Sequence, residues 1–185
     1  KTPEVDMIEM AKISQMAEHN YVGVKCGIMD QFASAMGKKD HAIFLDCKTL
    51  NYEYAPLAFE GKKLILTNTN KKHSLGASKY NERRSECEKG LEMLKKGLPD
   101  KNFLGEISIE EFEANKHLIT DEIVLKRVTH VIYECDRVLK SVKALKDGDM
   151  VAFGKYMNQS HDSLKDLYEV TGNELDTLAY EARKI

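Results

Sequence analysis

The chain has 185 residues, with 28 Lys and Arg against 30 Asp and Glu and a net charge of −2. That length suits one domain or a large part of two, with a proper buried core, and the interspersed charges leave no basic stripe of the kind that grips nucleic acid. No apolar run approaches the roughly 18–20 residues that span a membrane, and the opening KTPEVDMIEM has no signal-peptide pattern.

Thr2-Pro3-Glu4 predicts a helix start, with Thr as cap, Pro at the first helical position and an acid in the first turn. Met7, Ile8, Met10, Ala11, Ile13 and Ala17 form adjoining apolar rows of that helix, which is expected to end near His19-Asn20. A Gly-bearing loop follows, then a short helix from about residue 29 to 36, closed by Gly37. Residues 41–47 (HAIFLDC) read as a strand and residues 51–55 alternate weakly around Tyr52 and Tyr54. Residues 63–69 (KLILTNT) have a continuous apolar centre between polar ends, as a buried strand would.

From Ser74 onward the pattern turns helical. Residues 78–96 carry Tyr80, Cys87, Leu91 and Leu94 at three-to-four spacing, stopped by Gly97 and Pro99. Ser108-Ile-Glu-Glu111 matches a capping box. Residues 121–146 form the longest predicted helix, with Val124, Val128, Val131, Cys135, Val138, Val142 and Leu145 as a core-packing stripe. Gly148 breaks it, a further helix runs over 149–158, and Thr171-Gly-Asn-Glu174 is a second capping box. Two helices, then strands, then a long helical run give an α+β fold. The sequence stops at Ile185 on a helix with no closing strand, which reads as a cut end.

Two stretches carry the candidate chemistry. In EHNYVGVKCGIMDQF (18–32), Glu18 and Asp30 are separated by a turn in which Gly23 and Gly27, lacking a Cβ and tolerating positive φ, would let the backbone approach a ligand. Asp30 stands at the start of a helix and Glu18 at the end of another, so each is also suited to a capping or solvated role. The second stretch is NTNKKHSLGASKY (68–80). His41, His117 and His130 have no partners at ligand spacing. His73 and His161 precede or follow serines at loop-to-helix junctions, where bonding to backbone is the plainer role. The Lys71-Lys72 and Arg83-Arg84 pairs could draw an anion but read as solvent-facing. Cys26, Cys47, Cys87 and Cys135 show neither CxxC nor zinc spacing and read as reduced thiols of a cytosolic protein.

AEHNYVGVKCGIMDQFAS, HAIFLDCKTL, NTNKKHSLGASKYNERRSECE and MNQSHDSLKDLYEVTGNELDTL, in that order, resemble the galactokinases of the GHMP kinase superfamily. The resemblance implies a two-domain kinase with a mixed sheet flanked by helices and an active site in the cleft between domains. Residues 1–55 would end the N-terminal, nucleotide-binding domain and residues 56–185 would form most of the C-terminal one. It implies transfer of the ATP γ-phosphate to O1 of α-D-galactose with Mg2+, in the cytoplasm.

The resemblance also places roles on residues. Asp30 matches the acid of the GIMDQ motif, the catalytic base that touches the sugar, and Glu18 the magnesium-binding acid of the AEH motif. Tyr80 matches a sugar-contacting tyrosine, and Gly27 a position whose backbone approaches the sugar. The family's opening G-R-x-N-x-x-G-E-H stretch, its Ser-rich phosphate loop and its last Gly-rich motif are not in this sequence. An interior piece is therefore expected, inactive alone and prone to self-association through surface that missing strands would cover. N-acetylgalactosamine kinase and a non-catalytic galactose sensor are the alternative readings.

Overall fold

Asp6 starts the first described helix: its carboxylate accepts the backbone N–H groups of Ile8 (2.9 Å) and Glu9 (3.3 Å), two donors that helix geometry leaves without partners. The computed structural model describes residues 5–57, 60–71 and 76–185, the side chains of 76–78 excepted. The predicted cap at Thr2 and the loop histidine His73 lie outside the described residues. By contact the chain divides into two units, Lys1–Ile65 with Leu75–Asn81, and Leu66–Ser74 with Glu82–Ile185.

In the first unit, α1 (Met7–Ala17) widens into a π-helical turn, Glu18–Val22, that closes at Gly23 with φ 77°. Helix α2 (Met29–Met36) follows, and then β1 (His41–Leu45) pairs antiparallel with β2 (Tyr52–Pro56), placing Ala42 opposite Ala55 and Phe44 opposite Glu53. The Asp46 carboxylate organises the connection, accepting the N–H of Lys48 at 2.8 Å. Ala11, Ile28 and Phe32 are the buried centre, with Ile8, Met36, Ile43 and Leu45 packed around them. Tyr52 sits edge-on to Phe32 at 5.3 Å, an arrangement that aromatic quadrupoles favour.

The second unit is helical. Helix α3 (Gly76–Leu94) has its first turns in unit 1 and the remainder here. It is followed by α4 (Ile109–Asn115), α5 (Glu122–Lys146), α6 (Met150–Ser163), a π-helical turn (Leu164–Tyr168) and α7 (Asn173–Ala182). The capping box at Ser108 forms as expected: Ser108 Oγ accepts the Glu111 N–H, and the Glu111 carboxylate accepts the Ser108 N–H at 2.8 Å. Asp121 and Asp149 cap α5 and α6 with their carboxylates, Asp121 accepting the Ile123 and Val124 N–H groups and Asp149 that of Ala152. Leu94, Phe112, Val124, Val128 and Ile132 form the centre of the core. Gly90 allows α3 to lie against α5, since a Cβ there would come within 2.2 Å of Val128 Cγ2.

Four expectations change. Residues 63–69 form no strand: Leu64, Ile65 and Leu66 are 65, 79 and 90 % exposed. A buried strand needs ladder partners, and the only sheet among the described residues is the β1–β2 hairpin, whose strands pair with each other. The Thr171 box does not form, because α7 begins after Gly172, held at φ 80°, with no side-chain cap. Glu174 instead meets Lys71 at 2.5 Å. On α5 the buried row runs Val124–Val128–Ile132, while Cys135 and Leu139 are exposed. Of the predicted stripe, Val124, Val128 and Leu145 are buried, while Cys135 and Val138 between them are exposed. Finally, Asp30 is not a cap: Ile28 occupies that position, with no side-chain cap bond.

Candidate active site

The loop between α1 and α2, residues 23–27, is short, and side chains from both flanks fasten its backbone. Gln15 Nε2 of α1 donates to the Cys26 carbonyl at 3.1 Å, and His19 Nε2 of the π-helical turn lies 2.8 Å from the same oxygen. From α3, Tyr80 Oη accepts the Gly27 N–H at 3.0 Å. Asn81 bonds to Lys25 and Gly23. Gly23 needs its glycine, since φ 77° is a left-handed conformation. Gly27 does not adopt positive φ, and a Cβ there would meet Tyr80 Oη only at an ordinary 3.9 Å.

Directly beyond this loop Asp30 is exposed in the first turn of α2, where the positive end of the helix dipole favours a negative group. It borders a surface concavity of about 480 Å³ that is also lined by Met7, Met10, Ser14, Gln31 and Ser34. Those α1 residues mark the helix face turned to the concavity. Glu18, half-buried, follows Ser14 by four residues, one turn on and about 6 Å further along the axis. The structure joins Gly27 to Tyr80 by a hydrogen bond, sets Asp30 beside the concavity against α1, and places Glu18 at the start of the π-helical turn.

Among the described residues no three His, Cys, Asp or Glu side chains gather to hold a metal. Glu18 offers a single carboxylate of hard oxygens, not a cage. That suits Mg2+, which is commonly held by one or two carboxylates with water and phosphate oxygens completing its shell.

Other candidates have structural partners. Arg83 is buried, contrary to the solvent-facing reading: its Nε donates to the Tyr168 carbonyl at 2.7 Å and its Nη1 to Glu86 at 3.0 Å. Arg84 does face outward, paired with Glu88. Arg127, 2 % exposed, donates to Glu86, to the Leu167 carbonyl and to Glu169. Two guanidinium groups thereby satisfy carbonyls at the end of the π-helical turn, where helix dipoles favour cations. His130 Nδ1 lies 2.8 Å from Ser163 Oγ, and burial, with Arg137 and Arg127 nearby, pushes its pKa down to about 4. His161 Nε2 lies 3.2 Å from Asp176 Oδ1, so it faces a side chain of α7, not backbone.

Residues 2–38 match the family described as GHMP kinases N terminal domain. The galactokinase of Clostridium beijerinckii is 53 % identical over 180 residues, covering 97 % of this chain and 46 % of that protein. That of Fusobacterium nucleatum is 52 % identical over 179 residues. The crystal structure of Lactococcus lactis galactokinase complexed with galactose superposes with a TM-score of 0.89 at 44 % identity, covering 98 % of this chain and 47 % of that one. The chain matches part of a galactokinase. It spans about half the length of the curated relatives it matches, and the expected resemblance and α+β class are borne out. Within this galactokinase-like segment, reading the sequence missed Gln15, His19 and Asn81. Polar side chains on α1 and α3 carry no mark of a distant backbone partner. Only the Asn directly after Tyr80 could have prompted the question.

Proposed function

We propose that the chain is part of an ATP-dependent galactokinase, one that phosphorylates α-D-galactose at O1. The observation that carries the reading is the placement of Asp30: an exposed carboxylate on the first turn of α2, directly after a loop fastened from two helices, in a galactokinase-like sequence. In this reading Asp30 touches the sugar and accepts the O1 proton as O1 attacks the γ-phosphorus. The bond from that phosphorus to the β–γ bridging oxygen breaks, and ADP leaves. A positioned base of this kind contributes about 10²–10⁴-fold, and the remainder of phosphoryl transfer is positioning and charge neutralisation.

Glu18 would hold Mg2+, whose charge would offset that of the phosphates. Tyr80 would contact the sugar while keeping Gly27 in place, and Gly27 would present its backbone to the sugar. Residues 1–55 would close the nucleotide-binding domain and residues 56–185 form most of the second domain. The isolated chain would be inactive and would self-associate through its uncovered apolar surface, and the whole protein would be cytoplasmic.

The test is ADP release by the natural full-length gene product, offered galactose, N-acetylgalactosamine and no sugar. Galactose-dependent release that Asp30→Asn abolishes supports the reading. Preference for N-acetylgalactosamine would favour the alternative kinase, and sugar binding without turnover the sensor. Turnover by the 185-residue chain alone would refute its proposed inactivity.

A further inference from the structure

Of the five residues in the 23–27 loop, four have a backbone polar group bonded to a side chain from outside the loop. Cys26 O is taken by Gln15 and His19, Gly27 N–H by Tyr80, and the other two by a single residue. Asn81 Oδ1 accepts the Lys25 N–H at 3.1 Å while its Nδ2 donates to the Gly23 carbonyl at 3.2 Å. One amide therefore bridges two backbone groups of opposite polarity, two residues apart, as an adjoining strand would. Gly23, at φ 77°, turns the chain away from the π-helical turn, and Asn81 grips the segment at that turn and again beyond it. Ile28, buried beside Phe32, anchors the far side, and Asp30 follows two residues later.

We infer that Asn81 is a positioning residue: it fixes the α1–α2 loop and through it the carboxylate of Asp30, without itself touching the substrate. The inference rests on the kinase reading for its catalytic consequence. Its chemistry is specific to an amide. Aspartate keeps the acceptor for Lys25 N–H but sets a negative charge against the Gly23 carbonyl, and leucine offers neither bond. A misplacement of about 1 Å at a reacting group costs on the order of 10²-fold, so a slack loop is read out as lost turnover of the sugar.

The experiment uses Asn81→Asp and Asn81→Leu in the natural full-length gene product. The expected result is a fall of about 10- to 100-fold in kcat/KM for galactose, with KM for ATP and the thermal midpoint close to those of the parent. Backbone amide exchange at Lys25 should quicken in both variants, Asn81→Leu most. Galactose kcat/KM within about two-fold of the parent in both variants overturns the inference, because a positioning contact of this size cannot be silent. So does a loss shared equally by ATP affinity and thermal midpoint, which would mark general destabilisation. A parent that does not phosphorylate galactose defeats the kinase reading instead. The loop clamp is then decided by exchange alone, and an unchanged Lys25 rate in Asn81→Leu overturns it.

Discussion

The two units solve the problem of ordering a chain differently. The second buries a continuous apolar row from Leu94 through Phe112 to Ile132 and adds two buried arginines whose every recorded bond lands on a carboxylate or a helix-end carbonyl. The first buries Ala11, Ile28 and Phe32 and leaves Met10, Ile13, Met16 and Tyr21 of α1 and its π-helical turn exposed. Its proposed catalytic loop is held by side-chain-to-backbone bonds, not by apolar packing. Apolar burial is non-directional, whereas a directed hydrogen bond loses most of its value when misaligned. The unit carrying the candidate site thus has geometry under tight control with little stability in reserve, and the helical unit has the reverse.

Four measurements sharpen or break that contrast. In the natural full-length gene product, Asp30→Asn should lower the proposed galactose turnover by about 10²–10⁴-fold while shifting the denaturation midpoint hardly at all, since the side chain is exposed. Parallel losses of activity and stability would erase the distinction between the units. Arg127→Met should act oppositely, costing about 1–3 kcal/mol of stability by taking the donor from the Leu167 carbonyl and a partner from Glu86. Denaturant titration reads that loss. Gly90→Ala should cost about 1–3 kcal/mol through overpacking, because the intruding Cβ meets stiff β-branched side chains at Val128 and Val124.

The smallest effect is a pH dependence. The His130 pKa, near 4 in the folded protein, lies below the ordinary 6.5, so between those values the unfolded chain binds a proton that the folded one refuses. Stability contributed by the neutral ring is complete above pH 6.5 and declines as pH falls toward 4. The loss is about 2 kcal/mol, less than the full shift because some solvent reaches the ring. Comparing denaturation at pH 7 and 4.5 in the parent and in His130→Gln isolates it from the carboxylates: the variant should show the shallower decline.

Elements defined by local chemistry were legible in the sequence. The cap at Ser108 and the breaks at Gly37 and Gly148 fall where side-chain and backbone rules put them. Apart from the Thr171 box, what failed depended on distant partners. Residues 64–66 have the composition of a buried strand but no ladder to join, so propensity had nothing to act on. Arg83 looks like a surface residue, and His130 like a histidine without partners at ligand spacing, until α6 and its π-helical turn bring carbonyls and a hydroxyl to them. For the candidate site, resemblance supplied Glu18, Gly27, Asp30 and Tyr80, and residue chemistry alone left Asp30 equally suited to a cap. The Gly27–Tyr80 bond joins residues far apart in sequence, and no local pattern encodes such a closure.

Position 90 has a consequence for how this sequence can vary. Where α3 crosses α5 the separation is set by an absent side chain, so residues 90, 124 and 128 share one fixed volume. A methyl gained at 90 must be given up across the crossing, and Gly90→Ala combined with Val128→Ala should recover much of what either change loses alone. Natural variants of this crossing should therefore change in compensating pairs, with size traded between the two helices.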